Sequence, residues 1–188
     1  MTPRPDLHGV FLARHGETND NREPARFQGF TDTPLNDTGR AQAHELAERV
    51  AGDGIRALWS SDLIRASETA EIVGARLGLE PRFDPRLREG MRGRWEGHLM
   101  ADIERKEPEL YAAWRRGGAE FRFPGGESLL EQQQRVTAAL LDIHATALLP
   151  ALVVCHGGSI RVMLCEDDAR GLDAFHDFHV PNVAVIPL

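Results

Sequence analysis

Cysteine is scarce in this 188-residue chain: there are two, Cys155 and Cys165. Neither belongs to a close-spaced pair, so the sequence carries no zinc-knuckle or dithiol redox signature. Cys155 lies in an apolar run ahead of a glycine and reads as a buried structural thiol. Long hydrophobic runs are missing too. No apolar stretch approaches the roughly 18 residues of a membrane-spanning helix. The polar, Pro-containing start, Met1 to His8, has no apolar segment behind it that would make a signal peptide. A cytoplasmic location is therefore expected. Positive charge is not in excess either. A net charge of −7 speaks against general binding to nucleic acid or to a membrane surface. Repeats and low-complexity segments are also lacking. What remains is an ordinary soluble composition, 41 % hydrophobic and 27 % charged, in a length that suits one domain, 1–188, with a substantial core.

An acidic chain that handles an anionic ligand must gather its positive charge locally. Two places stand out. Leu12-Ala13-Arg14-His15-Gly16-Glu17-Thr18 follows the apolar run Val10-Phe11-Leu12, and Val153-Val154-Cys155-His156-Gly157-Gly158 has the same setting far downstream. An Arg-His-Gly or Cys-His-Gly at the C-terminal end of a strand sits in the crevice where open α/β sheets bind ligands. Imidazole is a nucleophile towards phosphorus. Guanidinium holds phosphoryl oxygens in a fixed fork.

The apolar spacing predicts strands at Val10–Ala13, Arg56–Ser60, Ala151–Cys155 and Val183–Pro187. It predicts helices from Thr38 to Val50, from the Ser61-Asp62 region to Leu77, after Ser128, and from Ser159 to about Cys165. Either Ser61 or Asp62 is expected to cap the second helix, and Gly78 to stop it. Ser128-Leu129-Leu130-Glu131 is a capping box for the long helix that carries Val136, Leu140, Ile143 and Ala147 on one face. Strands alternating with helices imply an α/β three-layer sandwich: a mostly parallel central sheet covered on both faces. The irregular stretch from about 81 to 126 is too long for a connecting loop. It reads as a short helical insertion over the site, with Pro108 starting one helix through Trp114. Its aromatic residues, taken as exposed, leave a homodimer open.

These motifs together resemble the histidine phosphatase superfamily, the phosphoglycerate mutase-like proteins. Besides the two His-Gly runs, the resemblance rests on Gln28-Gly29, Asp32-Thr33-Pro34-Leu35 with Gly39 and Gln42-Ala43, and Ser60-Ser61-Asp62-Leu63-Ile64-Arg65-Ala66 with Glu68-Thr69-Ala70. Leu87-Arg88-Glu89 with Gly93 and Trp95-Glu96-Gly97, then Pro124-Gly125-Gly126-Glu127-Ser128, complete it. It spans nearly the whole chain, in order. The phosphatase branch, including α-ribazole phosphatase and broad-specificity phosphatases, is similar in length and motif.

The resemblance implies that His15 is the nucleophile and forms a phosphohistidine. The flanking charges of Arg14 and Arg65 favour its neutral form, and its other ring nitrogen is expected to donate to a backbone carbonyl. Arg14, Arg65 and His156 would form the phosphate pocket, as two bidentate guanidiniums and an imidazolium, with no metal. Glu89 would be the proton donor, with a pKa raised by partial burial. The plain alternative for Glu89 is a surface ion pair with Arg86 or Arg88. Asn21, Gln28, Gly29 and Gly157 are second-tier phosphate contacts. Glu17 is a weaker acid–base candidate, Glu96 is expected to be structural, and Ser61 either lends a hydroxyl or caps its helix. The sequence departs from the family pattern at Gly90-Met91-Arg92, where relatives carry an apolar or acidic pair and an aromatic residue. Arg92 either reads a second anionic group or, the favoured alternative, faces solvent. Arg22, Arg26, Arg94, Arg115 and Arg116 are further candidates for substrate contact. His44, His98, His144, His176 and His179 lack partners at metal-ligand spacing.

The function these residues imply is a metal-independent phosphomonoesterase of the histidine acid phosphatase type. It would act without a cofactor on a small phosphorylated metabolite. A cofactor-dependent mutase is the second reading, set back because mutases of the family resemble longer chains that close over the site. A non-catalytic phosphate-binding module is the third.

Overall fold

The structure, a computed structural model, describes residues 6–188. Residues 1–5, on which the reading of a leaderless start partly rests, lie outside it. Among the described residues, strands β1 (Val10–Arg14), β2 (Ala57–Ser60), β3 (Arg82–Phe83), β4 (Ala151–Cys155) and β5 (Val185–Pro187) form one sheet in the order β3-β2-β4-β1-β5. All neighbours are parallel except β5, which runs antiparallel to β1. Helices α1 (Asp37–Val50), α2 (Ile64–Leu77), α5 (Leu129–Thr146) and α6 (Gly157–Leu164) cover it, while α3 (Met100–Lys106) and α4 (Pro108–Arg116) lie in the middle segment.

The period of two along the central strands builds the two faces. Leu12, Val153 and Cys155 pack with Val136, Leu140 and Ile143 of α5 and Ile160 of α6. Ala13, Leu152 and Val154 pack on the opposite side with Leu46 and Val50 of α1 and Ala66, Ala70 and Val73 of α2. Every residue of β4 is buried, as a central parallel strand requires. Burial of each large aliphatic side chain contributes about 1.5–3 kcal/mol. Cys155 is buried within this core, and desolvation pushes its thiol up to about 12.

Ser128 and Glu131 form the expected reciprocal capping box, and Gly78 ends α2 in the left-handed region at φ 68°. The expected cap at the other end of α2 is corrected. Leu63 occupies the N-cap and makes no side-chain cap bond. Ile64 N donates instead to Asp32 Oδ1 at 2.7 Å, from a loop distant in sequence. The hydroxyl of Ser61 accepts from Leu63 N at 3.3 Å, ahead of the helix, and lies against His156.

The middle segment makes a third cluster around Trp95, Trp114, Phe123 and Leu129, joined by Phe27 and Phe175. Phe27 lies 5.0 Å from both Trp95 and Trp114, ring centre to ring centre, a separation at which tilted and edge-on pairs attract. Trp95 is fully buried and Trp114 nearly so. Of the aromatics taken as exposed, Trp95 and Trp114 are thus interior, whereas Tyr111 is half-buried and Phe83 is exposed.

Candidate active site

The strand register decides where the two histidines meet. Arg14 of β1 pairs with Cys155 of β4, so the next residue on each strand, His15 and His156, emerges at the same sheet edge. Their rings lie 5.2 Å apart, edge to face. Both are buried, His15 at 2 % exposure and His156 at 0 %. The chain after His15 also turns tightly over α1. A Cβ on Gly16 would lie 2.3 Å from Gly39 O, so only glycine fits there.

His15 Nδ1 lies 2.6 Å from Gly16 O. A carbonyl only accepts, so Nδ1 carries the proton and Nε2 holds the free electron pair. Nε2 has no hydrogen-bond partner among the described residues. Burial, then the charges of Arg65 and Arg14, hold the imidazole well below its ordinary pKa. The ring is therefore neutral.

His156 departs from expectation. Burial and the nearby Arg65 and His15 also push its pKa well down, so it is a neutral imidazole and not an imidazolium. Its Nε2 lies 2.8 Å from Ser61 Oγ, and Ser61 Oγ accepts from Leu63 N at 3.3 Å. No other acceptor for the Ser61 hydroxyl hydrogen is present among the described residues, so it donates to Nε2, which puts the His156 proton on Nδ1.

Arg65 is fully buried although it lies in the first turn of α2. Its two terminal nitrogens donate to Thr31 O and Gly29 O, both at 2.8 Å. Each terminal nitrogen thus spends one N–H on the backbone, and Nε is buried with no partner among the described residues. Arg14 likewise spends Nη1 on Val180 O at 2.7 Å and keeps Nε buried and unpaired among the described residues. Burial lowers both arginines to about 10, which leaves them charged at neutral pH.

A cavity of about 190 Å³ opens beside these groups. That is below the roughly 300 Å³ at which pockets for drug-sized ligands begin, so it suits a small one. Arg14, Asn21, Gln28, Gly29, Glu89, Arg92, Gly157 and Arg161 line it, with Met100, Trp114 and Phe175 from the apolar wall. Asn21 Oδ1 accepts from Thr18 N, and its Nδ2 is buried and unpaired. Gln28 Nε2 donates to Thr18 Oγ1. Of the other arginine candidates, Arg26 lines the cavity. Arg22, Arg94, Arg115 and Arg116 do not.

Glu89 is ringed by donors. Gly90 N, Gln132 Nε2 and Arg92 Nη2 reach Oε1 at 2.8, 3.0 and 3.1 Å, and Gly158 N reaches Oε2 at 2.9 Å. A Cβ on residue 158 would stand 2.2 Å from Oε1, so α6 opens on a glycine to admit the carboxylate. Burial raises the Glu89 pKa, but Arg92, the two backbone donors and Arg65 outweigh it and bring it to about 2. The expected upward shift is overturned by this cage. The plain alternative falls as well: Arg88 pairs with Asp62, and Arg86 with Asp84 and Asp142. Arg92 is 7 % exposed and does not face solvent.

Glu17 points away from the cavity and accepts from Asn36 Nδ2. Glu96 is structural: its Oε1 accepts from Phe30 N and Arg92 N, tying the 28–30 loop to the insertion. Sequence reasoning missed Gln132, which is fully buried, and Arg135, which donates to the carbonyls of Arg86, Arg88 and Glu89 and pairs with Glu127. Gln132 carried a signal, because it falls on the buried face of α5 with Leu129, Val136 and Leu140. Among the described residues, no group of three His, Cys, Asp or Glu side chains is placed to hold a metal ion, and no helix is long and apolar enough to cross a membrane.

Comparison with known proteins agrees with this fold. The profile of the histidine phosphatase superfamily (branch 1) matches residues 10–188. Phosphoglycerate mutase-like protein 4 of Arabidopsis thaliana is 40 % identical over 162 residues, which is 83 % of this chain and 69 % of that protein. A probable phosphoglycerate mutase, GpmB, of Salmonella paratyphi B is 42 % identical over 135 residues, covering 70 % of this chain and 60 % of the relative. Among solved structures, a mycobacterial glucosyl-3-phosphoglycerate phosphatase superposes with a TM-score of 0.85 at 32 % identity, over 94 % of this chain and 90 % of the other. A putative α-ribazole-5′-P phosphatase of Escherichia coli gives 0.78 at 28 % identity, over 90 % and 83 %.

Proposed function

Since the chain belongs to the histidine phosphatase superfamily, we propose that it is a phosphomonoesterase that hydrolyses a small phosphorylated metabolite through a phosphohistidine on His15. One observation carries this reading. Arg14 Nε, Arg65 Nε, Asn21 Nδ2 and His156 Nδ1 are buried and have no partner among the described residues. Each buried donor left unmade costs about 1–3 kcal/mol. A phosphoryl group, with three equatorial oxygens, accepts from all of them beside a neutral His15.

The steps follow from the residues. His15 Nε2 attacks phosphorus, the N–P bond forms and the ester P–O bond breaks. Arg14, Arg65, Asn21 and the Nδ1–H of His156 hold the charge that spreads over the equatorial oxygens. Gly29 and Gly157 let the backbone come close at the cavity wall. Water then attacks the phosphohistidine, Glu89 takes its proton, and the P–N bond breaks to regenerate His15. In the first step Glu89 gives the leaving oxygen a proton only after taking one up. No metal is needed, because the arginines supply the charge. We place the whole reaction in one domain.

A mutase is the second reading, favoured by the names of the Arabidopsis and Salmonella relatives. Hydrolysis is favoured by the short middle segment and by the carboxylate form of Glu89, which suits a base for water. The test is an assay with phosphomonoesters and with 3-phosphoglycerate plus 2,3-bisphosphoglycerate. Phosphate release should exceed phosphoglycerate interconversion and should persist in EDTA. Faster interconversion makes the chain a mutase. Loss of activity in EDTA, restored by added metal, removes the metal-free mechanism. Phosphate binding without any turnover makes it a binding module.

A further inference from the structure

Gln132 stands where an apolar residue would serve the fold. It lies on the inner face of α5 with Leu129, Val136 and Leu140, at 0 % exposure. An amide buried there costs stability unless it is hydrogen-bonded. Its Nε2 donates to Glu89 Oε1 at 3.0 Å and to Ser159 Oγ at 3.4 Å. Ser159 Oγ in turn donates to Arg88 O at 2.9 Å. One amide therefore holds the Glu89 carboxyl directly, and the backbone just before it through a serine.

The amide fits only one way round. Its Oε1 and Arg92 Nη1 both face the space beside Gly90: a Cβ there would lie 2.4 Å from the first and 2.5 Å from the second. Turned over, the amide would set its NH2 group against a guanidinium and its oxygen against a carboxylate. Arg92 is itself fixed, with its Cζ 4.4 Å from the centre of the Phe123 ring and its Nη2 3.1 Å from Glu89 Oε1. Gly90 N adds a third donor to Oε1 at 2.8 Å. Oε2 accepts from Gly158 N alone, and Glu89 and Gly158 both line the cavity. Oε2 is thus the oxygen with room for a proton.

We propose that Gln132 is a positioning residue for the proton transfers of Glu89: it holds Oε1 so that Oε2 faces the reacting oxygens in both protonation states. The inference rests on the role of Glu89 given above. A neutral donor to Oε1 suits either state. In the carboxylate, Oε1 is an anionic acceptor. In the acid, with the proton on Oε2, it is a carbonyl acceptor. The amide therefore stays in place through the cycle. In the first half-reaction the Oε2 proton passes to the leaving oxygen as the N–P bond forms and the P–O bond breaks, and the leaving oxygen keeps the P–O electron pair. In the second, the water oxygen bonds to phosphorus, its proton goes to Oε2, and the P–N electrons return to His15.

The test is a double-mutant cycle in kcat for p-nitrophenyl phosphate: wild type, Gln132→Met, Glu89→Gln and the double variant, with circular dichroism to confirm folding. p-Nitrophenolate leaves readily, so kcat reads the second half-reaction, in which Oε2 takes the water proton. Glu89→Gln should lower kcat about 10²-fold or more. Gln132→Met should lower it about 10-fold or more with KM within about 3-fold, because the donors for phosphate are untouched. In the Glu89→Gln background the same change should move kcat by less than about 2-fold. A folded Gln132→Met with kcat within about 2-fold of wild type overturns the proposal. An equal fall in both backgrounds overturns it too, since Gln132 would then serve packing alone. Gln132→Asn, too short to reach Oε1, should behave like Gln132→Met and decides the matter if the methionine variant does not fold. Failure of both to fold also counts for packing and against the proposal. A Glu89→Gln variant that keeps kcat within about 3-fold of wild type would instead sink the role of Glu89 beneath it.

Discussion

His15→Ala is expected to abolish turnover of p-nitrophenyl phosphate, by about 10⁴-fold or more, as losses of catalytic nucleophiles do. The reason is specific to the atom. Nδ1 is spent on Gly16 O at 2.6 Å, so Nε2 is the free nucleophile. The donors for phosphate do not depend on this ring. Arg14, Arg65, Asn21 and His156 keep their unpaired N–H groups, so inorganic phosphate should bind within about 10-fold of wild type, a difference of roughly 1.4 kcal/mol. The variant should also fold, since the β1–β4 register is set by the backbone and by Leu12 and Val153. Steady-state assays, calorimetric phosphate titration and thermal melting check the three parts. Retained turnover in a pure preparation contradicts the mechanism.

Arg65→Met is the second large effect, and it should strike stability and catalysis together. The guanidinium satisfies two backbone carbonyls, Gly29 O and Thr31 O, and compensates Glu89, Asp32 and Asp20. Removing it leaves buried acceptors unpaired at about 1–3 kcal/mol each, so a loss of about 3 kcal/mol in denaturant unfolding is expected. Removing its Nε from the transition state should lower kcat/KM about 10³-fold. Arg65→Lys should rescue little, because one ammonium cannot span two carbonyls and the phosphoryl group as a planar fork does. If Arg65→Lys keeps kcat/KM within about 3-fold of wild type, the assigned geometry is wrong.

Much of this was legible in the chain, and the reasons differ by residue. The continuous apolar run Ala151–Cys155 could only be a buried strand, and the Ser128–Glu131 box marked the start of α5 without ambiguity. His15 and His156 were visible as strand-end histidines, although only the register places them side by side. The cap of α2 was not legible, because Asp32 supplies it from another segment. The two-residue β3 is too short to show a period. The ionisation of Glu89 was misread for a similar reason. Burial alone pushes a carboxyl up, but the groups that pull it down, Arg92, Gly158, Gly90 and Arg65, come from three separate stretches of chain. Arg92 looked like a loop arginine bound for solvent. Its place was decided by Phe123 and Glu89, which no local pattern connects. Gln132 could have been found, since a glutamine on an apolar helical face is a buried polar group in search of a partner.

The central claim is a covalent bond between phosphorus and His15, and it can be read directly. Wild-type enzyme mixed with p-nitrophenyl phosphate, quenched in alkali within milliseconds and digested for mass spectrometry, should carry one phosphoryl group on the peptide that contains His15. The label should vanish in acid, and it should be missing from His15→Ala. A quench that catches no phosphopeptide while p-nitrophenol is released in a burst, or one that finds the phosphoryl group on another residue, would contradict the account.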